Sequence, residues 1–441
     1  MQKKNQVDLS KVKKIFFVGI GGIGISAGAQ LALSRGMKVL GLNDEESPKT
    51  IEPLRAAGAI IFYMNEMKKL PLADLYVYSD AWLHRGPEVI EEARERGKPV
   101  LSYFEFLGVV AKEYKVIAIA GTHGKTTTTA MVAGILIDAG LDPTVVVGSF
   151  VKKFGSNFRK GSGKYLVLEA DEYNRHFLNF NPFITVVTNI EADHLDYYKD
   201  LADVQNAFGQ LIAQTENTVI YNSKDTSTHV LVHDNKIKVV DYIKYLDRVP
   251  KLSVPGEHNR KNAAAALAVA DFLSINQKIA QKSLAEFAGT WRRLEKRGQT
   301  ESGTIVYDDY AHHPTEIRAS IEALRELYPE RGERQKNITI LFQPHLYSRT
   351  KMLFDDFAKS FKGADRVLLL PIYFAREEKD ENVSSEKLAK AITKEGQKAE
   401  AYPTFPAAEE AILALNLGPK DVLVTMGAGE AYKVADKVLQ F

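Results

Sequence analysis

Residues 115–141 read KVIAIAGTHGKTTTTAMVAGILIDAGL, and this stretch decides the fold. Val116 to Ala120 is apolar without alternation, the pattern of a strand buried on both faces, as in parallel sheets covered by helices. A glycine turn follows, and then a helical pattern with apolar Met131, Val132, Ile135 and Leu136 on one side. Strand, glycine turn and helix together make a phosphate-binding loop. Backbone N–H groups of Gly121, Thr122, His123 and Gly124, with Lys125 and Thr127, would cradle nucleotide phosphates, and Thr126 would offer its hydroxyl to Mg2+. Ile119 stands where the full Walker pattern has its first glycine, so the loop is a shortened form that keeps the Gly-Lys-Thr end.

Working outward from this loop, further apolar runs end in acids. Glu169 and Asp171 close YLVLEAD, at the carboxyl edge where a parallel sheet meets its ligands. Glu191, Asp193, His194 and Asp196 follow ITVVTNI and offer oxygens and one imidazole to a cation. Toward the N-terminus, Gly19-Ile20-Gly21-Gly22-Ile23-Gly24 satisfies G-x-G-x-x-G between a strand pattern and the helix pattern SAGAQLALSRG, and Asp44 lies where a dinucleotide fold has its ribose-binding acid. Taken alone, this loop reads as a dehydrogenase's. Its physics suits the pyrophosphate of NAD or of a nucleotide sugar equally, since glycines only let the backbone approach.

The 441-residue length fits about three domains of ~150 residues. Strands alternate with helical patterns throughout, so the expected class is α/β, with three modules in series: a Rossmann-like domain over 1–112, a central P-loop domain over 113–299 and a second Rossmann-like domain over 300–441. The charged segment RRLEKRGQTESG (292–303) reads as the linker into the last. Lys+Arg 58 against Asp+Glu 56 leaves a net charge of +2, too even for a nucleic-acid-binding surface. The absence of cysteine excludes disulfides, thiolate metal sites and a cysteine nucleophile. MQKKNQVDLSKVKK has no apolar run after its lysines and no later stretch approaches ~18 apolar residues, so the expectation is a cytoplasmic chain without membrane insertion.

The motifs GTHGKTTTT, EADEY, NIEADHLDYY, PGEHNRKNAAAA, YDDYAHHPTEI and FQPHLYSRT, in this order over nearly the whole chain, resemble those of the Mur ligases of peptidoglycan synthesis. The resemblance implies three domains: one for a UDP-sugar, a central ATPase and a third that brings an amino acid. It implies ATP as a substrate, Mg2+ as cofactor, UDP-N-acetylmuramate and L-alanine as the joined partners, and it leaves the oligomeric state open. Carried over residue by residue, Lys125 holds ATP phosphates, Thr126 and Glu169 bind one Mg2+, and His194 serves a second. Asn259 and Asn262 sit near the adenine, and Arg293 and Asp309 reach the nucleotide. His312, His345 and Arg349 line the amino acid and acyl phosphate. Gly19, Gly21, Gly22, Gly24, Asp44 and Ser79 fall to the UDP-sugar. In two places the chain departs from the family: Leu346 replaces the Arg common after FQPH, and YSDAWLHRGPE (78–88) stands where a Ser-Ser-Ala motif is usual, making Asp80 an odd neighbour for a diphosphate. The other readings are a ligase attaching a whole tripeptide to the same sugar, a non-catalytic ATP-binding scaffold, and the dehydrogenase.

Overall fold

A computed structural model describes residues 7–67, 69–233, 237–374 and 377–440. The apolar runs build three sheets. The first holds β1 (Lys14–Val18), β2 (Lys38–Asn43), β3 (Ile60–Tyr63), β4 (Leu75–Tyr78) and β5 (Val100–Ser102) in the order β3-β2-β1-β4-β5, parallel throughout. Strand order reverses between β1 and β4, so the ligand crevice of such a sheet lies outside their carboxyl ends. Gly19 follows β1 and Ser79 follows β4, which puts both at that crevice.

The second sheet comprises β6 (Lys115–Ala120), β7 (Thr144–Val151), β8 (Ser156–Arg159), β9 (Tyr165–Glu169), β10 (Ile184–Val187), β11 (Thr218–Tyr221) and β12 (Lys238–Asp241), ordered β12-β11-β10-β6-β9-β7-β8. Only β7 and β8 pair antiparallel. β6 is central, flanked by β10 and β9, so the loop after it opens at the switch point of the sheet. The helix Lys125–Asp138 is buried on all sides from Thr126 to Leu136, its four threonines included. This is broader than the one-sided apolar stripe of the sequence pattern. Two of these threonines bond through their hydroxyls, Thr126 to Glu169 and Thr129 to the Lys125 carbonyl, each at 2.8 Å, whereas the buried Thr128 hydroxyl makes no such bond.

The third sheet contains β13 (Glu295–Gln299), β14 (Ile305–Asp309), β15 (Asn337–Phe342), β16 (Arg366–Leu369), β17 (Lys398–Ala401) and β18 (Asp421–Met426), ordered β13-β14-β18-β15-β16-β17. The segment read as a linker is therefore corrected in part: β13 is an antiparallel edge strand, with a register shift between Lys296 and Gly298. Its charges and glycine are what a blunted sheet edge carries, and the same composition marks a linker. The helical pattern TKMLFDDFAKSF also divides, into Tyr347–Met352 and Phe354–Lys359.

By compactness the chain forms two units. One holds the first two sheets, comprising the described residues up to Glu191 with Leu201–Pro250 and Asn262–Phe287; the other holds Ala192–Asp200, Lys251–Lys261 and the described residues from Ala288 onward. In the second unit Arg292 is 4% exposed and pairs with Asp308, 0% exposed, at 2.8 Å. Its guanidinium also donates to the carbonyls of Gly427 (2.6 Å) and Gly429 (3.1 Å). Removing one partner of such a pair strands a buried charge. Arg292→Ala is expected to destabilise this unit by about 3 to 5 kcal/mol, whereas Arg292→Met combined with Asp308→Leu costs less; chemical denaturation followed by circular dichroism compares the two.

Candidate active site

In the first unit the site is built around the loop after β6. Gly121 has φ +133°, and a Cβ there would lie 2.0 Å from Thr188 Oγ1, so only glycine allows this approach. Lys125 opens the helix and folds its ammonium back over the loop, donating to the carbonyls of Gly121 (2.5 Å) and Thr122 (3.1 Å) and to Glu172 (2.9 Å). Burial, the largest influence on this ammonium, opposes its charge, but the carboxylates of Glu172, Asp171 and Glu169 outweigh it and raise its pKa. Thr126 Oγ1 donates to Glu169 Oε1 at 2.8 Å, and Glu169 Oε2 accepts from the Gly148 N–H at 2.7 Å. Asn262 lies against Gly124, its Oδ1 2.5 Å from where a Cβ would stand.

The loop is braced by two residues that the sequence reading did not single out. Asn189 accepts from the N–H of His123 through its side chain (3.0 Å) and from that of Thr122 through its carbonyl (3.0 Å). Thr188 Oγ1 donates to the His123 carbonyl at 2.6 Å. Both stand where β10 ends, and a polar pair closing a buried apolar strand was the available signal. His123 Nε2 lies 3.5 Å from Glu191.

At the first glycine loop the turn is held by side chains. Asn43 Oδ1 accepts from the Gly21 N–H at 3.1 Å and Thr50 Oγ1 donates to the Gly21 carbonyl at 2.7 Å. The buried Trp82 covers Gly19 so closely that a Cβ would stand 2.3 Å from its ring. Gly22 and Gly24 lead into the helix Ile23–Ser34. Ser79 donates its N–H to the Val18 carbonyl at 3.0 Å. Asp44 pairs with Arg85 at 2.8 Å on the surface.

The second unit gathers the remaining residues. Asp309 closes β14 and accepts from Ser320 Oγ; burial pushes its carboxyl up to about 6, against the opposing pull of that bond and of Arg293. Arg293 lies 3.6 Å from Glu316, which also sits 3.2 Å from His312 Nδ1 and accepts the His312 N–H at 3.0 Å. Burial brings the His312 imidazole down to about 4. The rings of His312 and His345 are 6.0 Å apart, and His345 stacks on Tyr373 at 5.4 Å. Asn259 Nδ2 donates to the Pro255 carbonyl at 2.6 Å.

Arg349 is not an open guanidinium. It is buried and donates from Nε (3.1 Å) and Nη2 (2.8 Å) to Asp193 Oδ1, with Nη1 3.4 Å from His345 Nδ1. Asp193, read from sequence as a candidate cation ligand, thus spends one carboxylate oxygen on an ion pair. Arg349 and the neighbouring histidines hold its pKa well below the usual range although burial opposes them. His194 adjoins it in the left-handed region, at φ +54°. Leu346 begins the helix carrying Arg349 with φ +70°, and is 2% exposed. Glu316 was missed by the sequence reading; its spacing of four from His312 across a helix start was the clue.

A buried parallel strand, glycine loop, lysine, and a threonine facing a carboxylate define an enzyme that handles nucleotide phosphates. Successive stretches of the chain match family models described as Mur ligase family, catalytic domain (residues 14–115), Mur ligase middle domain (119–248) and Mur ligase, glutamate ligase domain (292–429). The chain belongs to the Mur ligase family. It is 38% identical over 465 residues to the UDP-N-acetylmuramate–L-alanine ligase of Caldanaerobacter subterraneus, covering 99% of each, and 39% identical over 458 residues to that of Desulfosudis oleivorans, covering 97% of this chain and 98% of the relative. The UDP-N-acetylmuramate-alanine ligase structure from Thermotoga maritima superposes with a TM-score of 0.79 at 28% identity, over 97% of this chain and 98% of that one. A murein peptide ligase from Psychrobacter arcticus shares the fold, with a TM-score of 0.71 at 23% identity over 97% and 98%. No helix among the described residues is long and apolar enough to cross a membrane.

Two perturbed groups of the second unit, His312 and Asp309, pull stability in opposite directions with pH. The folded state takes a proton on His312 only near pH 4, so that contribution is full above the ordinary 6.5 and is lost as pH falls toward 4. Asp309 is the reverse: its contribution is full below the ordinary 3.8 and is lost as pH rises through about 6. Relative to wild type, His312→Asn is therefore expected to gain stability steadily as pH falls from 6.5 to 4. Denaturant midpoints of both proteins across that window check the sign; His258, also brought down to about 4 by burial, is present in both and drops out of the difference.

Proposed function

We propose that the chain is an ATP-dependent ligase that forms an amide between L-alanine and the lactyl carboxylate of UDP-N-acetylmuramate, in the cytoplasm, as a step of peptidoglycan precursor synthesis. The observation that carries this reading is likeness to alanine ligases over essentially the full length of both chains, joined to a phosphate loop whose lysine is charged and pre-placed. The γ-phosphoryl of ATP passes to the lactyl carboxylate, and the amine of alanine then attacks the acyl phosphate carbonyl and expels phosphate. No nucleophilic side chain is required, so the protein contributes positioning and charge neutralisation.

Lys125 is the cation for the transferring phosphoryl group, and phosphate oxygens take over hydrogen bonds that the loop carbonyls now hold. Gly121, Thr122, His123, Gly124 and Thr127 belong to the same ATP site, with Asn259, Asn262, Arg293 and Asp309 assigned to the nucleotide on the family likeness. Thr126 and Glu169 fit a hard cation, since they bring a hydroxyl and a carboxylate together at 2.8 Å beside the phosphate loop. Mg2+ held there supplies neutralisation of phosphate charge. His194 is assigned to a second Mg2+ on the family likeness alone.

His312, kept neutral by burial, and His345 are assigned to the alanine amine and the acyl phosphate. Arg349 meets the amino acid's carboxylate through its Nη1 side, because Asp193 occupies the other edge. Leu346 brings no second guanidinium. The UDP-sugar falls to the first glycine loop through Gly19, Gly21, Gly22 and Gly24, with Asp44 and Ser79. The division of labour follows the modules 1–112, 113–299 and 300–441, the last extended back to take in β13.

ADP release is expected to require UDP-N-acetylmuramate and to become fast only with L-alanine; equal turnover without the sugar would refute the ligase, and turnover with a tripeptide in place of alanine would move the assignment to the recycling reaction. Lys125→Ala and Glu169→Ala should each abolish turnover, and Glu169→Ala should leave the calorimetric affinity for UDP-N-acetylmuramate within about threefold, because its bonds go to Thr126 and Gly148, away from the first glycine loop.

A further inference from the structure

Asp80, the residue that breaks the family pattern beside the first glycine loop, has a partner. Its Oδ2 lies 2.6 Å from His176 Nε2 and accepts from Asn174 Nδ2 at 3.3 Å. The His176 side chain is 7% exposed, its ring stacks flat on Phe104 at 4.0 Å and 13°, and its Nδ1 is 3.7 Å from Asp171. Each end of this contact belongs to a different sheet of the first unit. Asp80 follows β4 in the turn that bonds Ser79 to Val18 and seats Trp82 over Gly19. His176 belongs to the segment after β9, whose Glu172 holds Lys125 at 2.8 Å. That segment carries Asn174 and Arg175 at φ +51° and +55°, and two successive non-glycine residues in the left-handed region persist only where their surroundings over-determine them.

We propose that the Asp80–His176 ion pair is a positioning element for the nucleotide sugar: it fixes the turn over the first glycine loop to the segment that sets Lys125, so that the sugar captured at one loop is presented to the phosphate held at the other. This rests on the assignment of the first glycine loop to UDP-N-acetylmuramate. A departure at position 80 that would repel a diphosphate becomes tolerable because a buried imidazolium neutralises it. Charged and titratable groups around the ring are Asp80 from the turn after β4, with Tyr78 and Glu105 beyond it, and Asp171 and Tyr173 from its own segment; the helix Tyr103–Ala111 presents the apolar Phe104, and Arg175 is paired with Asp203. Burial, the largest influence, disfavours the imidazolium, but the nearby carboxylates of Asp171 and Asp80 push His176 up to about 9. The pair is therefore fully formed below the ordinary 6.5 and is lost as pH rises through about 9.

The test uses the full chain and UDP-N-acetylmuramate as probe, with affinity by calorimetry and KM by ADP release. Asp80→Asn and His176→Gln are each expected to weaken sugar binding at least tenfold while the ATP KM stays within about twofold. The double variant should be no worse than either single one, Asp80→Glu should recover most of the affinity, and wild-type sugar affinity should fall as pH passes through about 9, a dependence lost in His176→Gln. Variants that stay folded by thermal melt and bind the sugar like wild type overturn the proposal, as do additive single effects. Should neither variant fold, wild-type affinity that is flat through pH 9 overturns it on its own. A wild type that turns over normally while these tests fail sinks only the positioning role; a wild type that neither binds nor uses the sugar sinks the ligase assignment and the proposal together.

Discussion

The charge on Lys125 is the constraint around which the first unit is arranged. An ammonium folded into a buried loop must be matched or it will neutralise, because desolvation penalises the charged form heavily. Glu172, itself only 3% exposed at its side chain, provides the match. That obligation fixes the segment after β9, and the same segment then supplies Asp171 and His176, so a line of alternating charge runs from the phosphate loop toward Asp80 and the first glycine loop. The carboxylates that raise the lysine's affinity for its proton also hold its ammonium at the loop, where the phosphate oxygens of the proposed substrate would replace them.

The second unit solves burial of charge in two ways. Arg292 with Asp308, and Arg349 with Asp193, are matched pairs in which each buried ion has its counter-ion and further hydrogen bonds. Burial shifts Asp309 and His312 toward their neutral forms, the acid upward and the imidazole downward, and it raises the Asp308 carboxyl as well despite the opposing pull of Arg292. A neutral His312 can accept a hydrogen bond from an ammonium, which an imidazolium cannot. Glu316 touches both His312 and Arg293, so one carboxylate ties the two regions that the family likeness gives to amino acid and nucleotide.

The strand, turn and helix around Lys125 could be read from sequence because three local signals coincide there: a run buried on both faces, glycines at the turn, and a lysine at the first helical position. Glu169 was also readable, as an acid that ends an apolar strand. What was not readable depends on partners distant in the chain. Thr188 and Asn189 brace a loop some 65 residues earlier; Asp193 looks like a cation ligand until Arg349, 156 residues on, claims it; and Asp80 looks misplaced until His176 is seen beside it. β13 failed for a different reason, since an edge strand protected by charges has the composition of a linker.

The two glycine loops make the same point physically. Both put glycine where backbone must turn tightly after a central strand, and this is all that their shared pattern encodes. In the first, Asn43 and Thr50 bond the turn's own backbone and Trp82 covers it, which makes a rigid edge against which a ligand can rest. In the second, the bracing residues lie behind the loop, while a lysine and a threonine–carboxylate pair stand at its mouth. Of the two, the second arrangement carries a buried positive charge beside hard oxygen donors, the equipment that the proposed phosphoryl transfer requires. A glycine pattern therefore specifies how closely a ligand can approach, and the charged groups around it specify whether chemistry can follow.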